Sequence, residues 1–89
     1  MGKANYEEGA RKLKVLSHPA RLHILNLMRE HEPCVRKMEE VLGMAQPSIS
    51  QHLSLLRNFG IVEGHRQGNQ VCYRIKDKEV LKILDALSE

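Results

Sequence analysis

The sequence predicts a mainly α-helical chain carrying one small β-hairpin, in the order α-α-α-α-β-β-α. Three observations predict it. Apolar residues recur at helical spacing through four successive stretches before Phe59. The period then falls to two on either side of Gln67-Gly68-Asn69, a hairpin turn signal. A last helical stripe follows Asp77.

Taken in order, Tyr6, Ala10, Leu13 and Leu16 place a helix over about residues 5–16. Ser17-His18-Pro19 ends it, since the residue before a proline avoids the helical region. Pro19 suits the first turn of a second helix. There Leu22, Leu25 and Met28, flanked by Ile24 and Leu27, form a wide apolar face reaching about His31, as in a central, buried helix. Glu32-Pro33 breaks the chain, and Cys34-Val35 reads as a short extended piece. Met38, Val41 and Leu42 support a helix over about 36–42, with Gly43 as its stop. After the turn Met44-Ala45, helix 46–58 turns Ile49, Leu53 and Leu56 inward and ends at Asn58-Phe59-Gly60. Residues 61–66 and 70–75 read as strands, with Val71, Tyr73 and Ile75 on one face and Gln70, Cys72 and Arg74 on the other. Asp77 is the N-cap of the last helix, whose apolar positions are Val80, Leu81, Ile83, Leu84 and Leu87.

The 89 residues suit a single domain, 1–89, with a modest core that oligomerisation would help to stabilise. Fourteen basic against eleven acidic residues leave a charge of +3, an excess that permits a nucleic-acid partner without requiring one. No apolar run approaches the ~20 residues of a membrane span. The start, MGKANYEEGARKLKVL, lacks the apolar stretch of a secretory signal, and Tyr6 breaks the myristoylation pattern after Gly2. A cytoplasmic protein with no membrane partner is expected, and there the two cysteines are expected as resting thiols. With no Gly-rich phosphate loop, no HExxH and no paired acids in an obvious cleft, neither catalytic residues nor a cofactor are expected.

The stretch GMAQPSISQHL (43–53) carries the functional signal. Two short helices joined by a tight turn, the second with a polar outer face, describe a helix-turn-helix. Its second helix would lie in the major groove, whose base edges offer both donors and acceptors. Gln46, Ser48, Ser50 and Gln51 supply both without a charge to neutralise, and no acidic residue between 44 and 58 repels phosphate. The hairpin follows at once, and its tip, His65-Arg66-Gln67-Gly68-Asn69, is polar and cationic, fit to reach the flanking backbone or minor groove. This is the arrangement of a winged helix-turn-helix. Winged helices also serve as protein-interaction modules, but those would more often expose apolar or acidic residues here. Salt dependence separates the two.

The chain resembles the ArsR/SmtB family of small dimeric bacterial repressors. The matching stretches are LSHPARLHIL (16–25), GMAQPSISQHLSLLRNFGIV (43–62) and RQGNQVCYRI (66–75). The resemblance implies a homodimer joined through the first and last helices, bound to double-stranded DNA at an inverted-repeat operator and released by a chemical signal. The broad apolar face of the last helix fits such a dimer independently. The family's recognition positions map onto Gln46, Ser48, Ser50 and Gln51, and its wing contacts onto Arg66, Gln67 and Asn69. Ala45 departs from the serine many relatives place there, a lost cap costing ~1 kcal/mol.

The resemblance also bears on what is sensed. One familiar metal site needs Cys-X-Cys, but here Cys34-Val35-Arg36 replaces the second ligand by a cation. The other needs Asp and His on the last helix, where residues 77–89 hold Asp77, Asp85 and Glu89 but no His. His18, His23, His31, His52 and His65 are scattered, so no metal site is expected, although an atypical one around Cys34 stays open. If Val35 points inward, Cys34 points away, as does Cys72. In winged helices the short strand before the helix pair joins the wing sheet, so the two would share a face of adjacent strands. Cβ atoms there lie ~4.5–5.5 Å apart, against ~3.8 Å in a disulfide. A disulfide or polysulfide bridge after modest movement would tie the wing to the root of the reading helix. Arg36 and Lys37 favour the Cys34 thiolate. Cys34 and Cys72 are therefore a candidate redox switch, with chance packing of two small residues as the competing reading.

Overall fold

The protein is seen here as a computed structural model describing residues 5–88. It runs α1 (Tyr6–Leu16), α2 (Pro19–Leu27), α3 (Val35–Leu42), α4 (Gln46–Asn58), β1 (Val62–Gln67), β2 (Gln70–Ile75) and α5 (Lys78–Leu87). Gly2 and Glu89, both weighed above, lie outside the described residues.

Local chemistry accounts for the boundaries. Asn5 Oδ1 accepts from the Glu8 amide at 3.0 Å and starts α1. His18 Nδ1 accepts from the Ala20 amide at 3.1 Å and starts α2, so this histidine is structural. Asp77 Oδ1 accepts from the Glu79 and Val80 amides at 2.9 and 3.4 Å and starts α5. Gly43 closes α3 in the left-handed region, at φ +65°, where a side chain would be strained.

The second helix ends four residues short of the expected His31. Past Leu27 the amides of Met28 and Arg29 turn back three residues, onto Leu25 and Asn26, in a tightened last turn. The cause is downstream. Pro33 O accepts from the Tyr73 amide at 3.0 Å, and Cys34 makes a single antiparallel bridge to Cys72. The chain must already be extended there, so the helix gives way earlier. Val35, expected in that extended piece, instead opens α3.

α2 is the central element: Ile24 and Leu25 are fully buried. Around them pack Leu16 of α1, Met38 of α3, Ile49, Leu53 and Leu56 of α4, Val62 and Tyr73 of the hairpin, and Val80 and Leu84 of α5. The strands pair antiparallel from Val62↔Ile75 to Gln67↔Gln70, leaving a two-residue turn, Gly68-Asn69. Gly68 has φ +63° and Asn69 is not positive, as in a type II′ turn. Val71 was expected to face the core with Tyr73 and Ile75. It is exposed, because the hairpin runs on past the core. Among the described residues no helix is long and apolar enough to cross a membrane.

α1 is attached mainly at its C-terminal end, where Val15 and Leu16 are buried. Tyr6 and Leu13, on its predicted stripe, are 79% and 57% exposed, as is Leu87 of α5 at 64%. Lys12 Nζ holds α1 to the start of α5, 2.7 Å from Asp77 Oδ2 and 2.9 Å from Glu79 Oε1. Burial pushes the Asp77 carboxyl up, but Lys12 and the Val80 and Glu79 amides carry it below the usual carboxylate range. The Asp77 and Glu79 carboxylates in turn raise Lys12 above its ordinary value.

Candidate nucleic-acid interface

The turn Gly43-Met44-Ala45 sets α4 against α3. The Ala45 side chain makes no cap, as expected of alanine; its carbonyl accepts from the Ser48 and Ile49 amides at 3.1 and 3.2 Å. Because Ile49, Leu53 and Leu56 are buried, the opposite side of α4 is fixed outward. Gln46, Ser48 and Gln51 are exposed there, and Ser50 is half-buried. Gln46 Nε2 donates to Ser50 Oγ at 2.7 Å, one helical turn on. Between Met44 and Val62 the one residue with a fixed charge is Arg57, in the last turn of α4. This surface is uncharged, rich in donors and acceptors, and rigidly presented.

At the hairpin tip Arg66, Gln67 and Asn69 are all exposed. Gln67 differs from the other two: its Oε1 lies 3.7 Å from Cys72 Sγ, so its amide leans back along the hairpin.

Behind α4 stands a brace. His52 Nδ1 lies 3.3 Å from Arg21 Nη1, and its ring meets the His18 ring edge-on at 4.7 Å between centroids. Arg21 Nε in turn donates to Val15 O at 2.6 Å. Burial first, then the neighbouring His18 and Arg21, hold His52 below the ordinary imidazole range. A neutral His52 can accept from Arg21, which links α4 to the α1–α2 corner.

Cys34 and Cys72 are joined by a disulfide, their Cα atoms 3.8 Å apart. They share one face of neighbouring strands, as alternation together with the winged-helix arrangement led one to expect, and no further movement is needed. Two expectations change. The pair is bonded in this state rather than present as two thiols. Cys72 is also fully buried although it lies off the core face, because the segment before α3 covers it.

Two residues that sequence patterning did not connect complete this face. His65 pairs with Cys72 in the sheet register. Its Nε2 lies 3.2 Å from Glu32 Oε1, while its Nδ1 is buried with no hydrogen-bond partner among the described residues. Arg74 Nε binds Glu63 Oε1 at 2.7 Å and Nη1 lies 3.9 Å from Glu32. The pairing of His65 with Cys72 follows from a two-residue turn at Gly68-Asn69 and was legible in principle; the reach of Glu32 was not. Among the described residues no group of three or more His, Cys, Asp or Glu is placed to hold a metal ion.

On the far side, Gly9, Lys12 and Leu13 of α1 and Glu79 and Ile83 of α5 line a groove of 270 Å³, and Tyr6 and Leu87 on the same two helices are also exposed.

A sequence profile of the bacterial regulatory protein, arsR family, matches residues 18–64, from the start of α2 into β1. The biofilm growth-associated repressor of Xylella fastidiosa is 40% identical over 80 residues, covering 90% of this chain and 70% of that one. The HTH-type transcriptional repressor SmtB of Mycobacterium tuberculosis is 39% identical over 77 residues, covering 85% of this chain and 57% of that one. Among solved structures, the transcriptional repressor BigR from Xylella fastidiosa superposes with a TM-score of 0.85 at 40% identity, covering 91% of this chain and 83% of that one.

Proposed function

The chain belongs to the ArsR family of bacterial regulatory proteins and is a DNA-binding transcriptional repressor of the ArsR/SmtB type, and from that premise we propose how it binds and what releases it. Two copies join through the exposed faces of α1 and α5 and engage the half-sites of an inverted-repeat operator in the cytoplasm. Gln46, Ser48, Ser50 and Gln51 read base edges in the major groove, where amides and hydroxyls match both donors and acceptors. Arg66 and Asn69 hold the flanking backbone, joined by Gln67 when its amide swings away from Cys72. The chemical signal is the oxidation state of the Cys34–Cys72 pair, which links the root of α3 to the strand that follows the wing tip.

The observation that carries this reading is the outer face of α4: uncharged, polar and fixed outward by Ile49, Leu53 and Leu56, directly beside the hairpin. The disulfide supports the identity of the signal.

The test is binding of the purified protein to promoter DNA from its own gene neighbourhood, reduced and then oxidised with diamide, with intact mass recorded for both states. Tight binding in one state, with a mass change confined to Cys34 and Cys72, is expected. Equal binding in both states would discard the thiol signal and keep the repressor. No specific binding in either would favour a protein-interaction module.

A further inference from the structure

We propose that the two cysteines have unequal roles: Cys34 meets the external thiol or disulfide, and Cys72 closes the bond with His65, held by Glu32, as its proton acceptor. This rests on the reading of Cys34 and Cys72 as a sensing pair.

The register places His65 against Cys72. Gln67↔Gln70 closes the hairpin, and pairs alternate from there. The Tyr73 amide points outward to Pro33 O, so Tyr73 and Gly64 form a pair without mutual hydrogen bonds. His65 and Cys72 are then the mutually bonded pair beside it, and directly opposed residues point to the same face. Cys34 reaches Cys72 from the other side of β2. His65 and Cys34 thus lie on either side of Cys72, on one face of the sheet.

The orphaned nitrogen gives His65 its task. With Nε2 facing the Glu32 carboxylate at 3.2 Å, the ring proton belongs on Nε2 and the lone pair on Nδ1. A buried acceptor without a donor is costly. In the bonded state Cys72 Sγ carries no proton to offer. In the reduced state Cys72 gains a proton, His65 opposes it in the register, and Gln67 Oε1, 3.7 Å from the same sulfur, is the competing acceptor.

Accessibility divides the labour. Cys72 is fully buried and Cys34 only half-buried. Cys34 is also the N-cap of α3, where helix amides and the neighbouring Arg36 and Lys37 favour a thiolate. With a low-molecular-weight disulfide such as oxidised glutathione as oxidant, the Cys34 thiolate attacks one of its sulfurs. A mixed disulfide forms and one glutathione thiolate leaves. Nδ1 of His65 then takes the Cys72 proton, and the Cys72 thiolate attacks Cys34 Sγ. The second glutathione thiolate leaves and the imidazolium returns its proton to solvent. Two protein thiols are oxidised and one glutathione disulfide is reduced to two thiols. Reduction reverses the path, with attack on the accessible Cys34 sulfur and protonation of the Cys72 thiolate by His65. The charged groups facing His65 are Glu32 before α3, Glu63 on β1 and Arg74 on β2, of which Glu32 and Arg74 are linked to each other.

The experiment follows oxidation of the reduced, full chain by oxidised glutathione, quenched with acid and read by intact and peptide mass, without DNA. In the wild type the mixed disulfide is expected at Cys34 and short-lived. In His65→Gln it should form at an unchanged rate but close roughly 10-fold more slowly at pH 7, because an ordinary thiol near pH 8.5 is only a few per cent ionised. Closure in that variant should recover as pH rises, and added imidazole should restore it in His65→Gly. Glu32→Gln should give a smaller slowing with the same signature. Cys72→Ser should stop at the Cys34 adduct, and Cys34→Ser should leave Cys72 unmodified. Wild-type closure rates in both His65→Gln and Glu32→Gln, or first attachment at Cys72, would overturn the proposal. Redox-insensitive operator binding would instead overturn the sensing function and leave these kinetics untouched.

Discussion

The two ends of the molecule solve opposite problems. The α3–α4–hairpin end is the better covered: Met38, Ile49, Leu53, Leu56 and Val62 are buried, while Val41, Phe59 and Val71 are exposed only at its margins, its turns are closed by Gly43 and Gly68, and a covalent bond crosses it. The α1–α5 end is unfinished: Tyr6, Leu13 and Leu87 stand in solvent, and α1 is held by its last turn and by Lys12. The same sequence patterning built both, and the proposed function assigns the difference to the neighbour each end meets. A surface meant for DNA can be polar and complete in one copy. On the proposed function, the other surface meets a second copy of the chain, and Tyr6, Leu13 and Leu87 stay exposed without it.

The contrast breaks most readily at the unfinished end. Leu13→Glu with Leu87→Glu should leave the monomer folded by circular dichroism but abolish the dimer in light scattering. Operator affinity should drop by roughly 10²–10⁴-fold as the avidity of two linked half-site contacts is lost. At the better-covered end, Gln51→Ala should cost about 1–3 kcal/mol against the preferred base and little against a mutated operator, measured by competition titration. Arg66→Ala should weaken all sequences alike and reduce the salt slope of binding by about 1. Lys12→Met, probing the tie between α1 and α5, should cost only about 0.2–1 kcal/mol in urea unfolding, since the pair is partly solvated. The smallest effect is expected at His52. Its folded-state pKa is lowered, so the unfolded chain takes up this proton first as pH falls below about 6.5. Stability should be unaffected above that value and decline through the window beneath it, and His52→Gln should remove that part of the slope.

What the sequence reveals follows the same division. Helix boundaries set by a local cap were legible at Asp77, and so was the hairpin at Gln67-Gly68-Asn69, although Gln67 belongs to β1 and the turn is one residue shorter, because the deciding atoms lie within a few residues. The end of α2 was not, since the extended segment from Pro33 to Cys34 is imposed by β2, far along the chain. The outward set of α4 was legible from Ile49, Leu53 and Leu56 alone. The shared face of Cys34 and Cys72 was legible from alternation, but the burial of Cys72 and the contact of Glu32 with His65 depend on how one segment lies across another. Periodicity carries no record of that.

The disulfide joins positions 38 apart, and between them lie α3, α4, β1, the wing tip and the first residues of β2. In mechanical terms, the bond turns the reading head into a closed ring hung between two tails. Tension applied to the chain ends passes from Cys34 directly into β2 and bypasses the enclosed helices. A protease cut anywhere in the enclosed stretch leaves one covalent molecule while the bond stands, and two once it is reduced.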